Sequence, residues 1–207
     1  MNVTKTLLLL RRSALLALAA ATLGGCAALV VGGAVGTAMV VADRRSSGTV
    51  VEDQSIEIKS ATRISETVGD RGHVNVTSFN RTVLLTGEVA SEADRVAIEQ
   101  AIARIETVRS TVNELAVMAS TSFTARSNDS VLTSKVKASY LDTKDLQVNT
   151  IKVVTERGVV YLMGRVTERE ATRATDLARG VSGVKKVVRM FDILTDAELA
   201  ALGGTKG

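Results

Sequence analysis

Residues 73–77 and 82–89 read HVNVT and TVLLTGEV, and the same pattern returns 76–77 residues later, where residues 150–154 and 159–166 read TIKVV and VVYLMGRV. Each copy consists of two short runs rich in β-branched residues. Two such runs separated by a few turn residues predict a β-hairpin. Because the pattern occurs twice at nearly the same offset, it indicates a duplicated structural unit.

A turn joins the two strands of each predicted hairpin, Asn80-Arg81 in the first copy and Arg157-Gly158 in the second. A glycine, Gly87 or Gly164, then occupies the same position in the second strand of each copy. A glycine inside a strand usually marks a bulge or a close approach of another backbone. We therefore interpret both glycines as structural.

A helix is predicted after each hairpin. Ser91 and Thr167 are each followed three residues later by a carboxylate, which is the pattern of a capping box. Apolar residues then recur at helical spacing. Further helices are predicted before the hairpins, near residues 56–67 and 131–141, and closing strands near residues 108–117 and 184–194. The order α-β-β-α-β in each copy predicts an α+β fold with two small tandem domains, at residues 53–118 and 128–195.

The amino-acid composition argues against several classes of function. The chain has 207 residues, of which 45% are hydrophobic and 23% charged, enough apolar residues for folded cores. One cysteine and one histidine exclude a disulfide framework within the chain and make cysteine- or histidine-based metal sites and most histidine-dependent catalysis improbable. Only 2% of the residues are aromatic, which argues against base stacking on single-stranded nucleic acid. We therefore expect a protein that is not an enzyme and needs no cofactor or metal.

The N-terminus has the pattern of a secretory signal. Lys5, Arg11 and Arg12 precede an apolar run at residues 14–23, and small residues then lead to Cys26. The run is about half of the ~20 residues that a membrane span needs. We therefore interpret residues 1–25 as a signal peptide rather than as a transmembrane anchor.

The end of this segment, Leu23-Gly24-Gly25-Cys26, resembles a bacterial lipobox. The resemblance implies cleavage before Cys26, a diacylglyceryl group on its thiol and acylation of the new amino group. In many Gram-negative lipoproteins an aspartate after the cysteine retains the protein in the inner membrane, so Ala27 implies transport to the outer membrane. Residues 26–52 are then the lipidated cysteine and a flexible linker, with a polar segment at residues 43–48 where an ordered domain can begin.

Several motifs are similar to those of BON domains, small αββαβ modules of bacterial envelope proteins. They are LLTGEV at residues 84–89, LMGRV at residues 162–166 and VSGVKKV at residues 181–187, although the first copy lacks the glycine of this last motif. Two such domains behind a lipobox resemble the dual-BON outer-membrane lipoproteins of the DolP type. The resemblance implies a periplasm-facing protein that binds anionic phospholipid through its second domain and supports envelope integrity.

Charge divides unevenly between the copies. Residues 55–117 hold seven basic and nine acidic residues, a net charge of −2, whereas residues 130–195 hold twelve and seven, a net charge of +5. The second copy is therefore the better candidate for an anionic partner. We expect its first helix to meet phospholipid through Val131, Leu132, Lys135, Val136, Lys137 and Tyr140. The alternative is that the apolar residues of this set form the core stripe and the lysines a solvated face.

A second hypothesis is a periplasmic scaffold whose basic copy docks on an outer-membrane assembly protein. The absence of tryptophan as a membrane anchor favours this alternative. Nucleic acid is not expected as a partner of an exported chain. The tail, residues 196–207, is predicted to begin with one short capped helix.

Overall fold

The computed structural model describes residues 43–143 and 146–203. The predicted signal peptide, Cys26 and residues 27–42 of the predicted linker lie outside the described residues, as do the last four residues of the tail. Within the described part the elements follow in the order α1 (Ser47–Val68), β1 (Gly72–Phe79), β2 (Thr82–Val89), α2 (Glu92–Ala103), β3 (Ser110–Asn113), β4 (Ala116–Val117), α3 (Phe123–Leu141), β5 (Ile151–Glu156), β6 (Val159–Val166), α4 (Glu168–Gly180), β7 (Lys186–Ile193) and α5 (Asp196–Gly203).

Both copies have the predicted αββαβ order, and each forms its own sheet. In the first domain, α1 to β4, β1 pairs antiparallel with β2, and β2 pairs parallel with β3 and β4. In the second domain, α3 to β7, β5 pairs antiparallel with β6, and β6 pairs parallel with β7. The closing strand of the first domain is divided into β3 and β4, whereas that of the second is continuous. The α+β fold with two tandem units is confirmed.

The hairpin turns are held by an aspartate of the preceding helix. Asn80, Arg81, Arg157 and Gly158 all have positive φ, as a two-residue type I′ turn requires. Asp53 of α1 accepts hydrogen bonds from the backbone N–H groups of Asn80 and Arg81, both at 2.8 Å. Asp129 of α3 accepts the equivalent bonds from Arg157 and Gly158 at 2.8 and 2.9 Å. The first helix of each domain is thus tied to its own hairpin.

Gly87 and Gly164 lie where two strands approach closely, as predicted. Gly87 has a φ of +112°, and a Cβ atom there would lie 2.0 Å from the carbonyl oxygen of His73. A Cβ atom on Gly164 would lie 2.6 Å from the carbonyl oxygen of Thr150. Both distances are far below van der Waals contact, so only glycine fits at these positions.

The helices begin earlier than the apolar spacing predicts. Ser46 caps α1 and Ser122 caps α3, so the two helices begin nine and eight residues before the predicted starts. Residues 47–52 therefore belong to α1 and not to the linker. Thr167 and Glu170 form the predicted reciprocal capping box, whereas Asp94 bonds the hydroxyl of Ser91. In the described part of the chain no helix is both long and apolar enough to cross a membrane.

Each domain has a core between its helices and its sheet, and a third cluster joins the domains. This third cluster contains Phe79 and Leu84 of the first domain and Tyr161 and Met163 of the second, all of them buried. The two sheets therefore pack through the faces that carry no helices. Packing on both faces explains why β2 and β6 are buried at nearly every position.

Candidate functional site

Helix α3 carries all six residues that the sequence assigns to phospholipid binding, but they lie on different sides of the helix. Leu132, Val136 and Tyr140, spaced four residues apart, are 7%, 0% and 0% exposed. The hydroxyl of Tyr140 donates a hydrogen bond to the carbonyl oxygen of Ala174 at 3.1 Å, and burial raises the pKa of Tyr140. These three residues are core residues.

This placement corrects part of the predicted site. In the structure Val136 and Tyr140 pack into the core of the second domain with residues of β5, β6 and α4, so they are not presented to a membrane surface. Leu132 is also nearly buried. The other three residues, Val131, Lys135 and Lys137, are exposed. A stripe at four-residue spacing marks the buried side of a surface helix, and this is the alternative that the sequence left open.

The outer side of α3 presents large apolar residues to solvent. Phe123 is 79% exposed, Leu141 72% and Val131 54%. Phe123 and Leu141 are five helical turns apart and therefore point in the same direction. Lys135 and Lys137 lie on the two borders of this surface. We call these five residues the α3 face.

Phe123 was missed because it precedes the predicted start of the helix. The helical spacing of apolar residues begins at Val131, whereas α3 begins at Phe123 behind the cap residue Ser122. A serine two residues before a threonine-alanine pair is a weak start signal, although Ser122 accepts the N–H of Ala125 at 3.2 Å. The α3 face therefore has an aromatic residue that the sequence analysis did not count.

The lysines of the α3 face are available for an external anion. Among the described residues, neither Lys135 nor Lys137 has a carboxylate within ion-pair distance. Arg157 of the same domain, by contrast, pairs with Glu88 at 3.0 Å. Within the part of the chain that the structure describes, no group of three or more histidine, cysteine, aspartate or glutamate side chains is arranged to hold a metal ion. The chemistry that this surface offers is contact with an apolar layer bordered by negative charge.

Known proteins resemble the chain over most of its length. The model of the BON domain family matches residues 52–119 and 128–195. The chain is 36% identical over 165 residues to a Haemophilus influenzae protein named outer membrane lipoprotein DolP, covering 79% of this chain and 85% of that protein. It is 30% identical over 152 residues to the 21 kDa hemolysin of Actinobacillus pleuropneumoniae, covering 72% and 78%.

Among solved structures, CdsD, a structural protein of the type III secretion system of Chlamydia trachomatis, matches 76% of this chain and 99% of its own with 10% identity and a TM-score of 0.29. That likeness is too low to support an argument. The two segments matched by the family model contain one αββαβ unit each and together span well over half of the chain. The chain therefore belongs to the BON-domain family and carries two of these domains in tandem.

Proposed function

We propose that this protein is a non-enzymatic lipoprotein of the outer membrane, acylated at Cys26 and facing the periplasm, whose second domain binds anionic phospholipid through the α3 face and so supports envelope integrity. The observation that carries the proposal is the exposure of Phe123, Val131 and Leu141 between two lysines that have no carboxylate partner in the described part of the chain. The name of the Haemophilus influenzae relative, an outer membrane lipoprotein, supports the location.

The α3 face has the two properties that binding at a membrane surface needs. Apolar side chains on one side of a helix gain free energy when they enter the boundary between head groups and acyl chains. Each basic residue near an anionic surface contributes about 1 kcal/mol. Aromatic residues are enriched at this boundary, and Phe123 is the exposed aromatic of α3.

We expect reversal of the two lysines to weaken binding to anionic vesicles. In the chain from residue 26 onward with Cys26→Ser, which carries no acyl group, Lys135→Glu with Lys137→Glu should lower the affinity for phosphatidylglycerol vesicles by at least about 30-fold, because two favourable charges are lost and two repulsive ones are added. Vesicle flotation measures this affinity. Phe123→Ser with Leu141→Ser should also weaken binding without changing the charge.

The matched control is Lys59→Glu with Arg104→Glu in the first domain, which changes the net charge equally at two exposed positions. If both double variants weaken binding to the same extent, the α3 face is not the binding surface. If the parent chain does not bind vesicles and crosslinking recovers a single outer-membrane assembly protein, the scaffold alternative replaces the phospholipid proposal. That alternative drew support from the missing aromatic anchor, and the exposure of Phe123 removes this support.

The lipid anchor has its own test. Mass spectrometry of the native protein should show an N-terminus at Cys26 with a diacylglyceryl thioether and an acylated amino group, and fractionation should place the protein in the outer membrane. Since two or three acyl chains anchor a protein durably, Cys26→Ser should release it from the tightly bound fraction. A native protein that begins at Met1 with a free thiol contradicts the anchor.

A further inference from the structure

A pocket of about 390 Å³ lies beside α3 in the second domain. It is bordered by α3, by the turn between β5 and β6, and by the loop between α4 and β7. Its polar border consists mainly of Lys135, Asn128, Gly158, Ser182, Gly183 and Lys185. Leu132 forms part of its floor and lies 3.5 Å from the position of a Cβ atom on Gly183.

Two lysines dominate the charge of this pocket. The guanidinium of Arg157, which also borders it, is engaged by Glu88 at 3.0 Å. Both carboxylate oxygens of Asp129 accept backbone N–H groups of the hairpin turn. Lys135 and Lys185, by contrast, are exposed and have no carboxylate partner among the described residues. The pocket therefore has an unbalanced positive charge.

The first domain serves as an internal comparison. The N–H of Arg109 bonds the carbonyl oxygen of Arg81 at 2.8 Å, just as the N–H of Lys185 bonds that of Gly158 at 2.9 Å. These bonds fix the equivalent positions in the two domains. At the offset of 76 residues that relates Arg109 to Lys185, the first domain has Glu52 in place of Asn128 and Glu106 in place of Ser182.

The equivalent place in the first domain is not suited to an anion. Arg81 stands where the second domain has Gly158, and its guanidinium lies 3.7 Å from Glu52. Arg109, the equivalent of Lys185, pairs with Asp192 at 3.3 Å. In the first domain Arg81 and Arg109 are thus engaged by carboxylates, Arg109 by one from the second domain, and two further carboxylates are present, although Lys59 stands at the place of Lys135. The second domain has neutral residues at both carboxylate positions, and among the described residues Lys135 and Lys185 have no carboxylate partner.

We propose that the pocket of the second domain binds a phosphate group, presented either by a phospholipid head group or by free phosphate. Lysine ammonium groups bind phosphate as point charges. The hydroxyl of Ser182 and the amide of Asn128 supply neutral donors. The inference rests on the proposed function and deepens it, because Lys135 belongs both to the α3 face and to the pocket and so places the two side by side.

The experiment compares neighbouring lysines in the full mature chain with Cys26→Ser. Lys185→Glu removes a cation of the pocket, and Lys186→Glu makes the same charge change at the next exposed residue, which does not border the pocket. Ser182→Glu introduces the carboxylate of the first domain, and Ser182→Ala controls for loss of the hydroxyl. Affinity is measured on vesicles of phosphatidylglycerol mixed with phosphatidylcholine. Inorganic phosphate is titrated separately while NMR follows the amides of Gly158 and Gly183.

Lys185→Glu and Ser182→Glu should each lower vesicle affinity about tenfold, and Lys186→Glu by less than about threefold. Circular dichroism of each variant confirms that it is folded. Equal losses for Lys185→Glu and Lys186→Glu overturn the pocket but leave binding by the α3 face intact. Another outcome is that the parent chain fails to bind vesicles while phosphate still shifts the NMR resonances of the two amides, and Lys185→Glu abolishes these shifts. That result supports phosphate binding in the pocket and contradicts the membrane proposal. No response to vesicles or phosphate overturns both.

Discussion

Replacing Arg157 with alanine should lower the free energy of unfolding by about 4 kcal/mol, because it leaves a buried carboxylate without its cation. Arg157 lies in the hairpin turn of the second domain and reaches into the first. Its guanidinium is 3.0 Å from Glu88 and donates to the carbonyl oxygens of Gly87 and Glu114 at 2.8 and 3.2 Å. The side chain of Glu88 is fully buried.

The groups that remain around Glu88 cannot replace the arginine. Thr121 donates its N–H and its hydroxyl to Glu88 at 3.1 and 3.2 Å. Nδ1 of His73 lies 3.9 Å from the same carboxylate, beyond hydrogen-bond distance. These contacts offset part of the desolvation of Glu88 but supply no permanent positive charge.

The loss of stability caused by Arg157→Ala should be smaller in mild acid than at neutral pH. Burial, followed by the charge of Glu88, raises the pKa of Glu156, and Arg157 partly opposes this shift. Without Arg157 the pKa of Glu156 rises further. Because a carboxyl with a raised pKa binds its proton more tightly in the folded state, stability falls as pH increases through the interval between its ordinary and its raised pKa.

Urea unfolding followed by circular dichroism measures the effect. Arg109→Ala is the matched control, since Arg109 also reaches from one domain to the other but its pair with Asp192 is exposed. Arg109→Ala should lower the free energy of unfolding by less than about 1 kcal/mol. If Arg157→Ala costs no more than Arg109→Ala, the buried pair does not stabilise the packing of the domains. Adding Glu88→Gln to Arg157→Ala should recover part of the loss, because the uncompensated charge is then gone.

The repeated unit could be predicted from sequence because its signals are local. The runs of β-branched residues in β1 and β2, the turn residues Asn80 and Arg81 and the capping pair of Thr167 and Glu170 all act within a few residues. Each of these features belongs to one element or to two neighbouring ones. The duplication strengthens these signals, since the hairpin and the capping residues recur in the second copy.

The packing between the domains could not be predicted in the same way. Phe79 and Tyr161 meet across the two sheets although they are more than eighty residues apart in the chain. A signal was present in β6, where six of the eight residues are apolar, because a nearly continuous apolar strand indicates burial on both faces. It did not identify which surface covers the second face.

Half of the candidate site was predicted on the buried side of its helix. Periodicity groups Leu132, Val136 and Tyr140 correctly, but it does not distinguish a stripe facing the core from one facing a ligand. The structure separates them, because Tyr140 is bonded to Ala174 in the interior while Phe123 is exposed. A helix start assigned eight residues too late concealed the outer side of α3.

The segment before α1 leads to the last prediction. Residues 43–48 were expected to mark where an ordered domain can begin, and in the structure both domains hold this segment. Arg44 binds both carboxylate oxygens of Glu170 at 2.7 Å, and Arg44 and Arg165 each donate to the other's carbonyl oxygen. Arg45 pairs with Asp53 of the first domain at 2.7 Å and lies over the ring of Phe79, 4.1 Å from its centre.

Arg44→Ala should lower the free energy of unfolding by about 3 kcal/mol at neutral pH. The side chains of Arg44 and Glu170 are only 9% and 12% exposed, so the variant leaves a largely buried carboxylate without its cation. Burial opposes ionisation of Glu170, but the hydrogen bonds from Arg44 and Thr167 outweigh it and hold the pKa of Glu170 below its ordinary value. A group with a lowered pKa stabilises the fold above its ordinary pKa and loses this contribution as pH falls through the lowered value.

The difference in the free energy of unfolding between the parent chain and Arg44→Ala should therefore be largest at neutral pH and decrease in acid. Urea unfolding at a series of pH values measures it. Arg63→Ala is the control, because Arg63 pairs with Glu66 while both side chains are more than half exposed. This change should cost no more than about 0.5 kcal/mol. A deficit for Arg44→Ala that stays constant from neutral to acidic pH would mean that packing of the arginine side chain, and not its charge on Glu170, holds the segment to the second domain.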